Sequence, residues 1–173
     1  SGPSGIYAAD ALAAQEDVAV SVDIIDRLPS PFGLVRYGVA PDHLSIRSVR
    51  DTLDRVLDLA NVRFIGNVEV GRDLSLPDLR RFYDAILLTY GASRDRSLGI
   101  PGEDLTGSIA ATDFVNWYTG HPDTPPDAFA EFLSTATQVA IIGVGNVAVD
   151  VTRILVKAPG EIDHTDMPQH VFD

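Results

Sequence analysis

Small and apolar residues run without a helix breaker after Gly5 through residues 3–14, PSGIYAADALAA, and predict a helix able to pack closely on a sheet. Residues 18–25, VAVSVDII, are β-branched and end at an acidic residue, the pattern of a strand. Pro29, Pro31, Gly33, Gly38 and Pro41 then punctuate RLPSPFGLVRYGVAPDH, a long loop. Ile46, Val49, Leu53, Val56, Leu57 and Ala60 recur at helical spacing and predict a second helix. VRFIGNVEV, residues 62–70, reads as two short strands divided near Gly66. SLPDLRRF predicts a short helix with Ser75 as N-cap and Pro77 in its first turn. DAILLTYG, residues 84–91, is a continuous apolar run suited to the middle of a parallel sheet. After the aromatic stretch ATDFVNWYTG and the proline-rich connector HPDTPPDA, QVAIIGVGNVAVDVTRILVK reads as strand, glycine turn and helix.

That last unit carries candidate chemistry. GVGNVA, residues 143–148, fits G-x-G-x-x-G/A. Gly143 permits the tight turn, Gly145 lets a pyrophosphate approach the backbone, and Ala148 lets helix and strand pack closely. The free N–H groups of the helix start, aided by its dipole, suit an anion. The competing reading is a tight turn that binds nothing; its setting between strand and helix favours the nucleotide. The opening SGPSG would complete a second such fingerprint if one glycine preceded Ser1, with Gly2 and Gly5 as its second and third glycines. Alone it reads as a loose small-residue terminus. Asp26, 21 positions after Gly5 at the end of a predicted strand, stands where a ribose-binding acid is needed, and the pairing reverses that preference.

Composition narrows the class. The chain has 173 residues, room for one domain or one plus part of another, and 45% apolar with 22% charged content is that of a globular protein. No apolar run approaches membrane-spanning length, and no leader of basic then apolar residues opens the sequence. The absence of cysteine excludes disulfides, thiolate metal sites and a Cys nucleophile. A net charge of −12, spread along the chain, disfavours nucleic acid as a partner. Lys157 is the single lysine, a bias of genomic rather than mechanistic kind.

At VDIIDRLPSPFGLVRYGVAPDH the sequence resembles the adrenodoxin-reductase-like NADPH–ferredoxin reductases, flavoproteins of mitochondria and actinobacteria. The likeness continues through FIGNVEVGRD, YDAILLTYGA, IPGEDLTGSIAATDFVNWYTGHP and VAIIGVGNVAVDVTRIL, nearly the whole chain. It implies an α/β fold: a Rossmann-like FAD-binding domain over residues 1–105 that lacks its first strand, then a connector and an incomplete NADP-binding domain over 106–173. It implies electron flow from NADPH through FAD to a ferredoxin-type iron–sulfur protein. Carried over by position, the FAD contacts are Gly2, Ser4, Gly5, Asp26, Leu34 and Val70. Asp26 replaces the family's usual glutamate and is one methylene shorter. The NADP contacts are Gly143, Val144, Gly145, Asn146 and Val147, with Val144 in place of a polar residue. His43 and Asp150 are the candidate pair tuning the flavin site; alternatively His43 belongs to a capping loop and Asp150 faces solvent. Arg36 either faces the cofactor or anchors its loop. Trp117 and Tyr118, spaced with Phe114, read as core.

Hydride transfer needs no protein nucleophile, so the lack of a Ser–His–Asp or paired-carboxylate motif is consistent. Two dinucleotide domains need about 300 residues, so the expectation is a fragment of a reductase whose exposed parallel-sheet edge is covered by missing residues or by a partner chain, which opens a route to self-association. The expected compartment is the bacterial cytoplasm, with the mitochondrial matrix as the alternative. Two other readings stand beside it: a glutamate-synthase-type flavoprotein subunit, which usually brings cysteine-rich cluster motifs, and a non-catalytic fragment without cofactor.

Overall fold

The computed structural model describes residues 1–92 and 94–172. It is an α/β structure in two compact units. Unit 1 comprises residues 1–36 and 45–91; unit 2 comprises 37–44 and the chain from residue 92 onward.

In unit 1, α1 (Pro3–Ala13) leads to β1 (Val22–Ile25), and α4 (Val49–Leu57) crosses back to β2 (Val62–Ile65). Two short helices, α2 (Leu34–Tyr37) and α3 (Leu44–Arg47), lie between β1 and α4 in sequence. β1 and β2 pair in parallel, with Val22 opposite Val62 and Ile25 opposite Ile65. Parallel neighbours need a crossover, which α4 supplies. Ile6 and Ala9 of α1, Ile24, Phe32, Leu53, Val56 and Val62 form the core. Each large apolar side chain so buried contributes roughly 1.5–3 kcal/mol. The Asn61 amide donates to the Ala13 and Val20 carbonyls at 3.2 and 3.1 Å, tying the end of α1 to the approach to β1. Across the ladder Arg63 donates two bonds to Asp23, at 2.9 and 2.7 Å, and the Tyr83 hydroxyl adds a third at 2.5 Å. The Arg63 bonds, more than burial opposes them, hold the Asp23 carboxyl below its ordinary value. α5 (Leu76–Leu79) has Ser75 as its N-cap, as predicted, and the structure adds a return bond: Ser75 accepts from the Asp78 N–H while Asp78 accepts from the Ser75 N–H.

Unit 2 packs α6 (Ala111–Tyr118), α7 (Ala130–Thr135) and α8 (Asn146–Val156). Its core joins Phe114, Val115, Trp117 and Tyr118 of α6 to Phe129, Val151, Ile154, Ile162 and Met167. Phe114 stacks on Trp117 and meets Tyr118 and Phe129 edge-on. The Trp117 indole N–H donates to the Pro126 carbonyl at 2.7 Å. Trp117 and Tyr118 are therefore packing residues. Among the described residues, no helix is long and apolar enough to cross a membrane.

Several predicted elements change. The strand expected over 18–25 is only Val22–Ile25, and the helix expected from Ile46 is split into α3 and α4 at Ser48. The loop of 27–43 contains the short α2. The two strands expected in 62–70 are one strand plus an isolated bridge between Val70 and Leu74. Residues 84–91 and 139–143 form no strand, and Leu87, Leu88, Tyr90 and Ile142 are exposed. The physical reason is that a strand is a hydrogen-bonded pairing. Apolar sequence states a preference for burial, but a ladder needs a neighbour, and among the described residues these segments have none.

Candidate functional site

The first glycine turn is built on α1. Gly2 is its N-cap, in extended backbone, and Pro3 opens the helix with its φ already suited and no N–H to satisfy. No side chain caps this end. A Cβ on Gly2 would meet nothing within 4 Å, so there is open space at the turn. A Cβ on Gly5 would instead sit 2.8 Å from Thr89 Oγ1. Gly5 thus performs the close-packing task of a third fingerprint glycine, against the 84–91 segment. Ser4 is exposed on the first turn.

Asp26 stands just past β1, its side chain 21% exposed. Its Oδ2 accepts from the Ser1 nitrogen at 2.8 Å and the Ser1 hydroxyl at 2.6 Å; Oδ1 accepts from the Leu28 N–H at 2.9 Å. Those three bonds lock the Asp26 carboxylate, as an acceptor, to the glycine turn. A carboxylate offers about four lone-pair sites, so acceptor capacity remains for ribose hydroxyls.

The loop after β1 fastens onto the same turn. The Phe32 N–H donates to the Ser1 carbonyl at 3.0 Å. Phe32 has φ of 88°, uncommon for a bulky residue, and is buried. Gly33 follows at φ 49°, and a Cβ there would lie 2.9 Å from Gly2 Cα. Only glycine lets this loop approach the turn so closely. Arg36 donates through Nε to the Pro31 carbonyl at 3.2 Å and lies over the Phe32 ring at 5.5 Å, so it anchors the loop. Leu34, at the start of α2, is 67% exposed, and Val70 is 41% exposed beside its isolated bridge.

The second turn repeats the design in unit 2. Gly143 has φ of 133°, a conformation that disfavours a side chain. Gly145 caps α8 in extended backbone with no side-chain bond, and a Cβ there would meet nothing within 4 Å. Val144, Asn146 and Val147 are exposed around it, Val144 almost completely. An uncapped N-terminus in open space fits a pyrophosphate: donors are available and no side chain blocks the approach.

His43 and Asp150 both belong to unit 2 and lie near one another, but not in direct hydrogen bond. His43 Nε2 is 3.6 Å from Asp150 Oδ1. Arg153 lies between, with Nη1 at 2.8 Å from the histidine and 2.7 Å from the carboxylate. Its Nη2 bonds Asp42, whose Oδ2 also accepts from Lys157 Nζ at 2.6 Å. Burial raises the Asp42 pKa, yet the Lys157 and Arg153 bonds prevail and hold it below its ordinary value. Asp150 is buried rather than solvent-facing. The Tyr118 hydroxyl and Asp42 Oδ1 are buried without a hydrogen-bond partner among the described residues. Burial, with the charges of Asp150 and Asp42, pushes the Tyr118 phenol well up.

Arg153, Lys157 and Asp42 were not singled out by sequence. A signal existed: positions 150, 153 and 157 repeat at three and four, one face of a helix. The Phe32 strain left no such signal, because nothing in the sequence marks a non-glycine left-handed residue.

No protein-family model matches the chain. It is 49% identical over 99% of its length to the mitochondrial NADPH:adrenodoxin oxidoreductase of Arabidopsis thaliana, spanning 35% of that protein. It is 45% identical over its full length to NADPH-ferredoxin reductase FprA of Mycobacterium tuberculosis, spanning 38% of it. Solved structures of the latter protein, one in complex with NADPH, superpose with a TM-score of 0.89 at 43% identity over 99% of this chain and 38% of theirs. The chain thus spans little more than a third of the length of these relatives. With its parallel α/β architecture and two glycine-capped helices, the chain is similar over its whole length to the N-terminal third of the adrenodoxin-reductase-like NADPH–ferredoxin reductases.

Proposed function

We propose that the intact protein is a flavoprotein oxidoreductase that carries electrons from NADPH through FAD to a ferredoxin-type iron–sulfur protein. The observation that carries this reading is the pair of uncapped glycine-led helix starts, α1 and α8, each with open space where a side chain would stand. The first is locked to the Asp26 carboxylate, the group a dinucleotide ribose requires.

In this reading Gly2, Ser4 and Gly5 hold the FAD pyrophosphate, Asp26 accepts from its ribose, and Leu34 and Val70 supply apolar contact. Gly143, Val144, Gly145, Asn146 and Val147 hold NADP(H), with backbone N–H groups meeting the pyrophosphate. His43 and Asp150 serve as the polar pair tuning the flavin site. FAD, when bound, would supply hydride acceptance and one-electron release, chemistry that no amino-acid side chain offers. The chain's own residues bind, orient and set the local charge. The functional partition is residues 1–105 for FAD, and 106–173 for the connector and the NADP unit. The compartment proposed is the bacterial cytoplasm, with the mitochondrial matrix as the alternative; one relative is named as mitochondrial and another is bacterial.

The test is NADPH-driven reduction of an added ferredoxin by the intact protein, with its flavin absorbance recorded beforehand. Flavin colour and ferredoxin reduction are expected. Absence of flavin, or glutamate synthesis in place of ferredoxin reduction, overturns the reading.

A further inference from the structure

We propose that Arg153 is the positioning residue that fixes His43 in a single tautomer, with the ring proton on Nδ1. Its bearing on catalysis rests on the flavin-reductase reading above; the tautomer is argued from the contacts His43 makes within this chain.

The argument is one of donors and acceptors. A guanidinium carries five N–H donors and no acceptor. Arg153 Nη1 has two hydrogens and two neighbours within bonding distance, His43 Nε2 at 2.8 Å and Asp150 Oδ1 at 2.7 Å. His43 Nε2 must therefore accept, and an accepting ring nitrogen bears no proton. The ring is then neutral and protonated at Nδ1. The alternative, an Nε2–H donated directly to Asp150, needs a bond across 3.6 Å, too long to be one.

The surrounding charges agree. α8 presents Asp150, Arg153 and Lys157; the 37–44 segment presents Asp42 and His43; α6 presents the buried Tyr118 hydroxyl. Two carboxylates already balance two cations, so a protonated imidazole would add a third positive charge against Arg153. Arg153 is itself held from its other side by Asp42, which Lys157 shares. Arg153 thus blocks proton exchange between His43 and Asp150 through Nε2 and leaves Nδ1 as the ring's exchangeable position.

Two-bond proton–nitrogen correlation spectra of the intact protein, labelled with 15N-histidine, report the tautomer directly. They are recorded at about pH 8, above the ordinary histidine pKa of ~6.5, with His43→Gln to assign the signal. The Nδ1–H pattern is expected for His43. An Nε2–H or imidazolium pattern in the unmodified protein overturns the proposal. Arg153→Met is expected to lose the Nδ1–H pattern, with Arg153→Leu as the second donor-free variant if the first does not fold. An unchanged pattern in either folded variant also overturns it. Flavin absorbance in the same samples separates the two questions: missing flavin counts against the reductase reading, while a wrong tautomer in a flavin-loaded sample defeats only this inference.

Discussion

Gly5 shows how one missing methyl joins sequence motif to packing. A helix prefers alanine to glycine by roughly 1 kcal/mol, so Gly5→Ala in α1 would stabilise an open site. Here the new Cβ meets Thr89 Oγ1 at 2.8 Å, and overpacking costs about 1–3 kcal/mol. The clash wins, and a net loss of about 1 kcal/mol in urea unfolding is expected. Thr89→Ala removes the offending oxygen, so the double variant should recover most of that loss; failure to recover would mean the contact is not the cause. Asp42 is the corresponding charge case. Its pKa is held below the ordinary value in the fold, so its stabilising effect is complete above about pH 4 and fades as pH falls through the lowered folded value. Asp42→Asn should cost about 2 kcal/mol at neutral pH, discounted for the partly exposed Arg153 and Lys157. The variant should also show a shallower acid-side decline in unfolding midpoint.

At the scale of elements, α1 and α8 begin alike, on an uncapped glycine with space before it. An ordinary helix start is capped by Ser, Thr, Asp or Asn, as α5 is by Ser75. α4, α6 and α7 also lack a side-chain cap, so what sets α1 and α8 apart is the glycine itself, which keeps the space before the helix donors open for a ligand. Gly145→Asp tests this: the carboxylate would take the N–H groups and repel a pyrophosphate. It should raise KM for NADPH about 10-fold or more, equivalent to ~1.4 kcal/mol, with flavin content unchanged. A KM equal to that of the unmodified protein would remove α8 as the NADP site. The legible and illegible elements divide by the range of the forces that form them. α1, α5 and α8 were readable because helix hydrogen bonds and caps are local in sequence. The 84–91 and 139–143 segments were misread because their apolar runs resemble buried strands, while pairing depends on a neighbour distant in the chain.

At the scale of the whole molecule, apolar surface lies open at Leu87, Leu88, Tyr90, Ile142 and Val144, and the β1–β2 sheet has two strands. We propose that this chain self-associates through an exposed sheet edge, since unpaired parallel edges recruit other strands. Sedimentation velocity across a concentration series should reveal a reversible larger species; a monomer at every concentration would retire the idea. The net charge of −12 opposes such association at low ionic strength, so added salt should strengthen it.

Sequence by itself determined the two glycine turns, the acid at their characteristic spacing, the Ser75 cap of α5 and the core face of α6. Each is a short-range pattern, set by backbone conformations that few residue types allow or by the period of one helix. Only the tertiary structure decided that Arg153 stands between His43 and Asp150, that Gly33 touches Gly2, and that Phe32 adopts a left-handed backbone beside Ser1. Apart from Arg153 and Asp150, which share one helix face, those contacts join residues about 30 to 110 positions apart, where spacing carries no information and the geometry of packing selects the partner.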